Sequence, residues 1–378
     1  MKIAILLLIN FIYSQGAYDV LRPYFGYSNA QISVSSIGNA TVASGFAIDG
    51  ATSNPANLAT HRYSSIQGSL SNKKFISGSN SLTQTGFNGI HAIIPISVYR
   101  GSLVFSGGVE KEIDYMSTFE DNTFLYSEEG GLYSWNIAMA VEFAKKIFVG
   151  AKMKYYNGSD NMTEFGDGVT YNYNPKYRGF GISLGMLHSI SKYAQYGLSI
   201  DLPTTLSVAD NFTYSNLDNI DESYSDIWHY RTKKPLVLHG GFGVFINNVN
   251  LFYELEWTDW KNLEFSSTEI YEEDLELPAS VFINQDINTL FKTTISHHFG
   301  SSIRVPLTPI KVFFGYEYLP VPFSGVYDSD VRESFSSGIS IPIQKNISLE
   351  GSYVNYYWGY MGSEESYDKF SFGVNLRY

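Results

Sequence analysis

The chain has 378 residues, 25 basic and 37 acidic side chains for a formal net charge of -12, and no cysteine. That charge argues against nucleic-acid binding, the missing cysteine removes any disulfide framework, and a mean hydropathy of -0.11 without an apolar run of ~20 residues after the first few positions excludes a helical membrane protein. The remaining class is all-β, and 30 Tyr, 26 Phe and 33 Gly favour a transmembrane barrel with aromatic girdles and kinked strands over a soluble β-protein.

At the start of the chain, Lys2 precedes an apolar run over residues 3–12, followed by Ser14, Gly16 and Ala17. This pattern predicts a secretory signal peptide over residues 1–16, read by the Sec pathway, because the run is about half of what a spanning helix needs. Residues 17–61 are rich in Gly, Ala, Ser and Asn and show no strand alternation. A stretch of roughly 45 residues is too long for a simple tail, so it is expected inside the lumen as a plug.

Residues 62–378 predict an antiparallel barrel of about 14 strands in a bacterial outer membrane, because short and long connections alternate. Short turns are expected at 98–101, 144–146, 191–195, 247–249, 306–309 and 344–346. Long outer loops are expected at 72–86, 116–130, 157–176, 207–233, 261–288, 320–332 and 359–367. Acidic side chains concentrate at 110–129, 218–226, 269–276 and 363–368. They read as solvated loops or as sites where divalent cations bridge to anionic surface lipid, although none has the ligand spacing of a calcium loop.

Within the segments, side chains alternate between two faces. Tyr133, Trp135, Ile137, Met139, Val141 and Phe143 share one face, and Val249, Leu251, Tyr253, Leu255 and Trp257 do the same further on. Lipid takes these faces, since a Lys or Arg there would cost about 2–4 kcal/mol at mid-membrane. The opposite parity turns Glu142, Lys152, Lys154, Asp201, Glu254, Glu256, Lys292 and Arg304 into the lumen, where a mutually satisfied salt network is the simplest expectation. The last ten residues, KFSFGVNLRY, alternate in the same way and end on Tyr378. They read as the strand that closes the barrel.

Three stretches now carry a family likeness. Residues 37–59, which include Gly38, Gly45, Phe46, Asn54, Pro55, Ala56 and Leu58, resemble the glycine-rich hatch of the long-chain fatty acid transporter (FadL/TodX) family, which leads into Asn-Pro-Ala-x-Leu. Glu256-Trp257-Thr258-Asp259-Trp260 resembles that family's strand-end tryptophan motif, and Phe314-Gly315-Tyr316-Glu317-Tyr318 with Pro320 and Pro322 resembles its late strand and loop. The resemblance implies a 14-stranded barrel with an internal hatch and passive uptake of hydrophobic small molecules, which bind at the outer face and leave sideways through the wall into outer-membrane lipid. It implies no cofactor and no metal, and the closed cylinder is expected to act as a monomer.

The family's opening lies at a kink in the third strand, which here contains Gly107 and Gly108. Paired glycines weaken a strand and admit a bulge that would re-aim Lys111, so the opening is expected at these two residues, with a merely tapering strand as the alternative. Asn54-Pro55 is expected to be a rigid turn that locks the hatch, or else a direct gate. The outer loops carry acid and Tyr in place of the family's long apolar helices. Their candidate ligand-capture patches are Phe119, Phe124, Leu125 and Tyr126 in one loop, and Leu275, Leu277, Val281 and Phe282 in another, with simple packing of loop against loop as the alternative for either.

Relatives of such barrels also serve as docking subunits for secretion or surface-attachment machinery, and this is the competing function. An enzyme is not expected. The seven histidines show no nucleophile motif, and the neighbours His297 and His298 point to opposite faces of a strand. The Asn-x-Ser/Thr sequons at Asn39, Asn161, Asn211 and Asn346 carry no meaning in bacterial export.

Overall fold

A computed structural model describes residues 16–28, 30–45, 53–120, 123–216, 221, 223–267, 271–272, 277–323, 330–360 and 363–378. The expected signal peptide, Phe46 and Leu275 lie outside these residues, apart from Gly16. The barrel begins with β1 (Ser65–Ser77), β2 (Asn80–Ile96), β3 (Leu103–Glu120), β4 (Phe124–Ala144), β5 (Ile147–Gly166) and β6 (Val169–Ser189). Next come β7, which runs as Ala194–Asp201 and then Thr204–Asn216, and β8, which runs as Tyr224–Lys234 and then Val237–Ile246. It is completed by β9 (Val249–Asp259), β10 (Thr293–Arg304), β11 (Lys311–Pro320), β12 (Val331–Gln344), β13 (Ile347–Tyr360) and β14 (Ser363–Arg377).

Each strand pairs antiparallel with the next, and β14 returns to β1 from Ser65↔Arg377 to Ser77↔Glu365, so 14 strands close without a free edge at the seam. Closure matters because hydrocarbon offers no partner to an unpaired backbone group. The interruptions of β7 and β8 share a cause: Pro203 and Pro235 bring no N–H to the ladder. They sit side by side, flanked by Lys234↔Thr204 and Val237↔Asp201.

The apolar parity of each strand faces outward: Trp135, Ile137 and Phe372 are 61%, 66% and 69% exposed. Such a belt is stable only against lipid. All six short turns fall at one end of the barrel. The other end departs from expectation, because much of what reads as long loop is strand: β4 and β6 each run 21 residues, about twice the span of a bilayer. Two of these hairpins close tightly, one at Gly78 (φ 56°) and one at Asp167-Gly168 (φ 50° and 76°), and Asp-Gly with both φ positive is the hairpin turn that matches strand twist. The acidic stretch 110–129 therefore lies largely on β3 and β4, not in a loop.

The N-terminal residues form short pieces: α1 (Ala17–Leu21), a two-residue strand Tyr27–Ser28, α2 (Ile32–Ser35) and a 3-10 helix Pro55–Thr60. One further helix, α3 (Ala279–Leu290), sits in the connection between β9 and β10.

Candidate functional site

The N-terminal pieces contact inward-facing side chains from many strands. Asn54 is fully buried. Its side chain accepts from Ala56 N (3.0 Å), which caps the 3-10 helix with Pro55 at its first position, and donates to Val42 O (2.8 Å) and Met186 O (2.9 Å). One amide thus ties two N-terminal segments to β6. Glu254 on β9 accepts from Thr41 N and Val42 N (both 2.7 Å), from Ser53 Oγ (3.1 Å), and pairs with His239 of β8 at 2.9 Å. Gly45 N donates to Asn57 Oδ1 (3.1 Å), and Gln195 of β7 donates to Ala43 O (2.7 Å).

Main chain meets main chain at glycines on the wall. A Cβ on Gly315 would lie 2.0 Å from Gly38 N, and one on Gly197 would lie 2.0 Å from Val42 O. Gly38 itself has φ +59°, so it satisfies two demands at once, the turn and the close approach. His298 Nδ1 donates to Gly38 O (3.1 Å) and Gly38 N donates to Ser336 Oγ (3.1 Å). Below these contacts Ala56, Leu58, Ala59 and Val42 pack into an apolar cluster with Val104, Ala140, Phe148 and Leu187 of the wall. Full burial of Leu58 alone contributes about 1.5–3 kcal/mol.

Toward the long-hairpin end lies a larger apolar cluster. Val20 and Leu21 of α1 are buried among Tyr115, Tyr177, Leu206, Val208 and Tyr230 of the strands, Trp260 and Phe265 of the β9–β10 connection, and Ile283 and Ile287 of α3. Ile283 and Ile287 are one helical turn apart and share a face. The expected capture residues are only partly involved. Phe119, Phe124 and Leu125 lie on the ends of β3 and β4 and not in a loop, with the Phe119 and Phe124 rings 6.4 Å apart. Phe282 lies on α3, and Leu277 begins the two-residue strand that leads into it. The apolar chamber is built instead from Tyr177, Leu206, Val208 and Tyr230 of the strands, none of which the sequence reading singled out, together with α1, α3 and the β9–β10 connection.

At Gly107 and Gly108 the expected opening is absent. Gly107 is paired with Ala92 and Ile137, and Gly108 with His91 and Asn136, so the ladder runs unbroken through both on both sides. The pairs pack closely: a Cβ on Gly108 would lie 2.4 Å from Ile90 O. The break comes a few residues later. Pairing of β2 with β3 ends at Gly89↔Glu110, and residues 80–88 of β2 and 111–120 of β3 have no common register. A side-chain bond, Asn80 Nδ2 to Glu120 O (2.9 Å), links the two tips above it.

Two one-residue bulges flank the break. Asn88 is the extra residue of β2 against β1, and Glu112 that of β3 against β4. A bulge bends its strand and swaps its faces. Beyond Glu112, Asp114 and Met116 stand opposite Gly131 and Glu129, on the parity that faces outward in the rest of β4. Yet each is only 1% exposed. Met116 packs with Phe75, Trp358 and Tyr367, which point inward from β1, β13 and β14. The upper part of β3 therefore folds inside the barrel, behind β2. The strand Tyr27–Ser28 pairs with it, Tyr27↔Asp114 and Ser28↔Ile113, and the Tyr27 ring stacks on Tyr367 at 4.0 Å.

Charges follow this fold. Lys73 lies 2.6 Å from Asp114, Lys111 forms an ion pair with the same carboxylate, and Tyr367 donates to it (3.1 Å). Lys369, directly opposite Lys73, donates to Ser28 O (3.4 Å). Of the expected lumenal set, Lys154 pairs with Glu112 (2.7 Å), and Asp201, Glu254 and Glu256 surround His239 at 3.7, 2.9 and 3.8 Å. Lys152 is buried beside them. Glu142 accepts from Lys146 N (3.1 Å) at the short-turn end, and Arg304 lies at that end as well. Lys292 does not face the lumen from a strand: it precedes β10 and pairs with Asp330 at 3.0 Å. Sequence reasoning missed Asp114, Lys73, Lys369, Asn88 and Glu112. Alternation assigns faces only while the register holds, and the signal that it fails is the run of charge at Glu110-Lys111-Glu112, which ends the clean parity of β3.

Comparison with family models gave no match, and neither did comparison with curated proteins. Solved structures do match. The chain is similar to the CymD monoaromatic hydrocarbon channel (TM-score 0.66, 12% identity, 93% of this chain and 98% of that one) and to the Ralstonia pickettii toluene transporter TbuX (0.66, 13%, 93% and 98%). It is also similar to a Pseudomonas aeruginosa FadL homologue (0.66, 11%, 94% and 99%). The protein is thus a closed 14-stranded β-barrel of the outer-membrane type. Its fold is that of the FadL/TodX-like channels, in agreement with the resemblance read from the sequence motifs.

Proposed function

We propose that the protein carries hydrophobic small molecules passively across the bacterial outer membrane, that residues 17–61 are its plug, and that cargo leaves through the wall between β2 and β3. The observation that carries this reading is the end of β2–β3 pairing at Gly89↔Glu110 together with the inward fold of β3. Cargo held in the chamber lined by Tyr177 and Tyr230 passes to acyl tails without meeting the periplasm, and each CH₂ kept from water is worth about 0.8 kcal/mol. In the conformation described, α1 fills the chamber and Tyr27–Ser28 backs the break, so passage requires residues 16–28 to move. The cargo we assign is a long-chain acid: the ammonium groups of Lys73 and Lys111 meet at Asp114 beside the break, with Lys369 opposite Lys73, and ammonium groups suit a carboxylate headgroup.

A disulfide tests the path, in a chain that has no other thiol. Ser28 and Ile113 are directly opposed, a spacing that suits a cross-strand bridge. Oxidised Ser28→Cys/Ile113→Cys should block uptake of radiolabelled oleate by cells expressing the protein, and reductant should restore it. Equal uptake in the oxidised and reduced states would refute the path through the break.

A further inference from the structure

On the outer wall, at the edge of the lipid-facing belt, β6 and β8 carry a patch of cations in a chain of formal charge -12. On β6 the outward side chains run Met186, Leu184, Ile182 and Phe180 from the short-turn end, and the next two are Arg178 and Lys176. On β8 they include Ile246, Phe242 and Leu238, and beyond Pro235 come Lys233 and Arg231. The outward aim of these cations follows from what alternates with them, because Tyr177, Tyr230 and Thr232 are buried. Both strands change from apolar to basic after about 10 residues, the length a tilted strand needs to cross hydrocarbon. The cations therefore begin where acyl tails end and headgroups begin.

The register gives the patch a shape. Ser207 of β7 is directly opposed to Arg178 on one side and to Arg231 on the other, which sets the two backbones about 10 Å apart, two strand spacings. Between them β7 presents Thr205, Ser207 and Ala209 outward, so small side chains form the floor of a shallow channel with a basic rail along each side. Lys176, Arg178 and Arg231 are exposed, and their side chains take no ion pair or hydrogen bond among the described residues, whereas Lys233 pairs with Glu264 at 2.8 Å. On the membrane side of the channel the Phe180 ring lies 5.0 Å from that of Tyr155, an aromatic edge of the kind that marks headgroup level.

Guanidinium forks match phosphate oxygens in shape as well as in charge, and basic clusters beside a membrane draw anionic headgroups. Below the rails Phe180, Ile182 and Leu184 offer an apolar track. Beside them, on β5, Asn157 stands opposite Arg178 and Ser159 opposite Lys176, an amide and a hydroxyl that suit sugar hydroxyls. We propose that the outer face of β5–β8 binds a phosphorylated glycolipid of the outer leaflet, with its phosphate between Arg178 and Arg231, its sugar over Asn157 and Ser159, and its acyl chains along Phe180 and Ile182. The assignment rests on the long-hairpin end facing outward, and it does not depend on the cargo route between β2 and β3.

The test incubates the full barrel in uncharged detergent with diphosphoryl lipid A, with lipid A stripped of both phosphates, or with dioleoyl phosphatidylglycerol. Native mass spectrometry reads the fraction of barrel that retains one lipid. Retention of the diphosphoryl form at least tenfold above the stripped form, and lowered at least fivefold by Arg178→Gln/Arg231→Gln, supports the site. Lys176→Gln should lower it about twofold and serves as the read-out if the double variant does not fold. Lys145→Gln, in a short turn at the opposite end, should leave it as it was. No retained lipid A, retention that ignores the phosphates or the substitutions on β6 and β8, or retention of phosphatidylglycerol equal to or above that of lipid A overturns the proposal.

Discussion

Lys73 on β1 and Asp114 on β3 form an ion pair at 2.6 Å although β2 stands between their strands in the sheet. The contact exists because β3 leaves the wall after Glu112 and passes behind β2. Both groups are almost fully buried, so their pairing holds the kinked part of β3 in place. Asp114→Ala strands two ammonium groups in the interior and should cost about 3–5 kcal/mol, while Asp114→Asn, which keeps hydrogen-bonding capacity, should cost less. The check is the thermal midpoint of unfolding in detergent, with hydrogen exchange of residues 111–120 as the local read-out. Unchanged exchange there would show that the pair does not hold the kink.

The buried Asn54 side chain makes three hydrogen bonds, two of them to carbonyls that Asn54→Ala would leave without this donor. At about 1–3 kcal/mol for each buried group left unsatisfied, the substitution should loosen the N-terminal segment and raise the conductance of the barrel to small ions in planar bilayers. A fall in uptake of one ligand with conductance unchanged would mean that Asn54 touches cargo and is not a latch.

Gly315 offers a steric version of the same experiment. A valine there would drive its Cβ to 2.0 Å from Gly38 N and 2.3 Å from Ile37 C, main-chain atoms that cannot yield as a flexible side chain can. Gly315→Val should displace the N-terminal segment and increase ion leakage several-fold, with the barrel still resisting detergent. Gly351→Val is the control, since nothing lies closer than 3.8 Å to its Cβ position, and it should leave conductance as it was.

Leu21 separates filling from transport. It is 2% exposed in the chamber, where loss of a Leu side chain costs about 2–5 kcal/mol of packing. If α1 must leave for cargo to enter, Leu21→Ala should lower the cost of that step and speed oleate uptake. Slower uptake would place Leu21 among the groups that bind the cargo.

Much of the barrel was legible because two-residue alternation is enforced by lipid on one side and water on the other. Trp135 and Glu254 fall where parity puts them. The short turns were legible for a related reason, since strands of fixed tilt must reverse at one plane. The long connections were misread because Asp167-Gly168 and Gly78 close hairpins well beyond the membrane, where polar side chains such as Glu129 and Asn161 enter the outward face and alternation fades. The break between β2 and β3 was placed too early. Glycines weaken a strand in isolation, yet Gly107 and Gly108 sit between two intact neighbours that hold them, whereas Asn88 and Glu112 each insert a residue that no partner matches. The N-terminal segment's partners Glu254, His298 and Ser336 lie far along the chain from residues 38–45 and 53–54, and a single sequence carries no local sign of such contacts.

The contacts of residues 38–45 and 53–54 with β6, β9, β10 and β12 also bear on the order of assembly. These residues have as their partners Met186, Glu254, His298 and Ser336, which come 130 to 300 positions later. A segment made before any of the strands it touches can complete these contacts only after those strands exist.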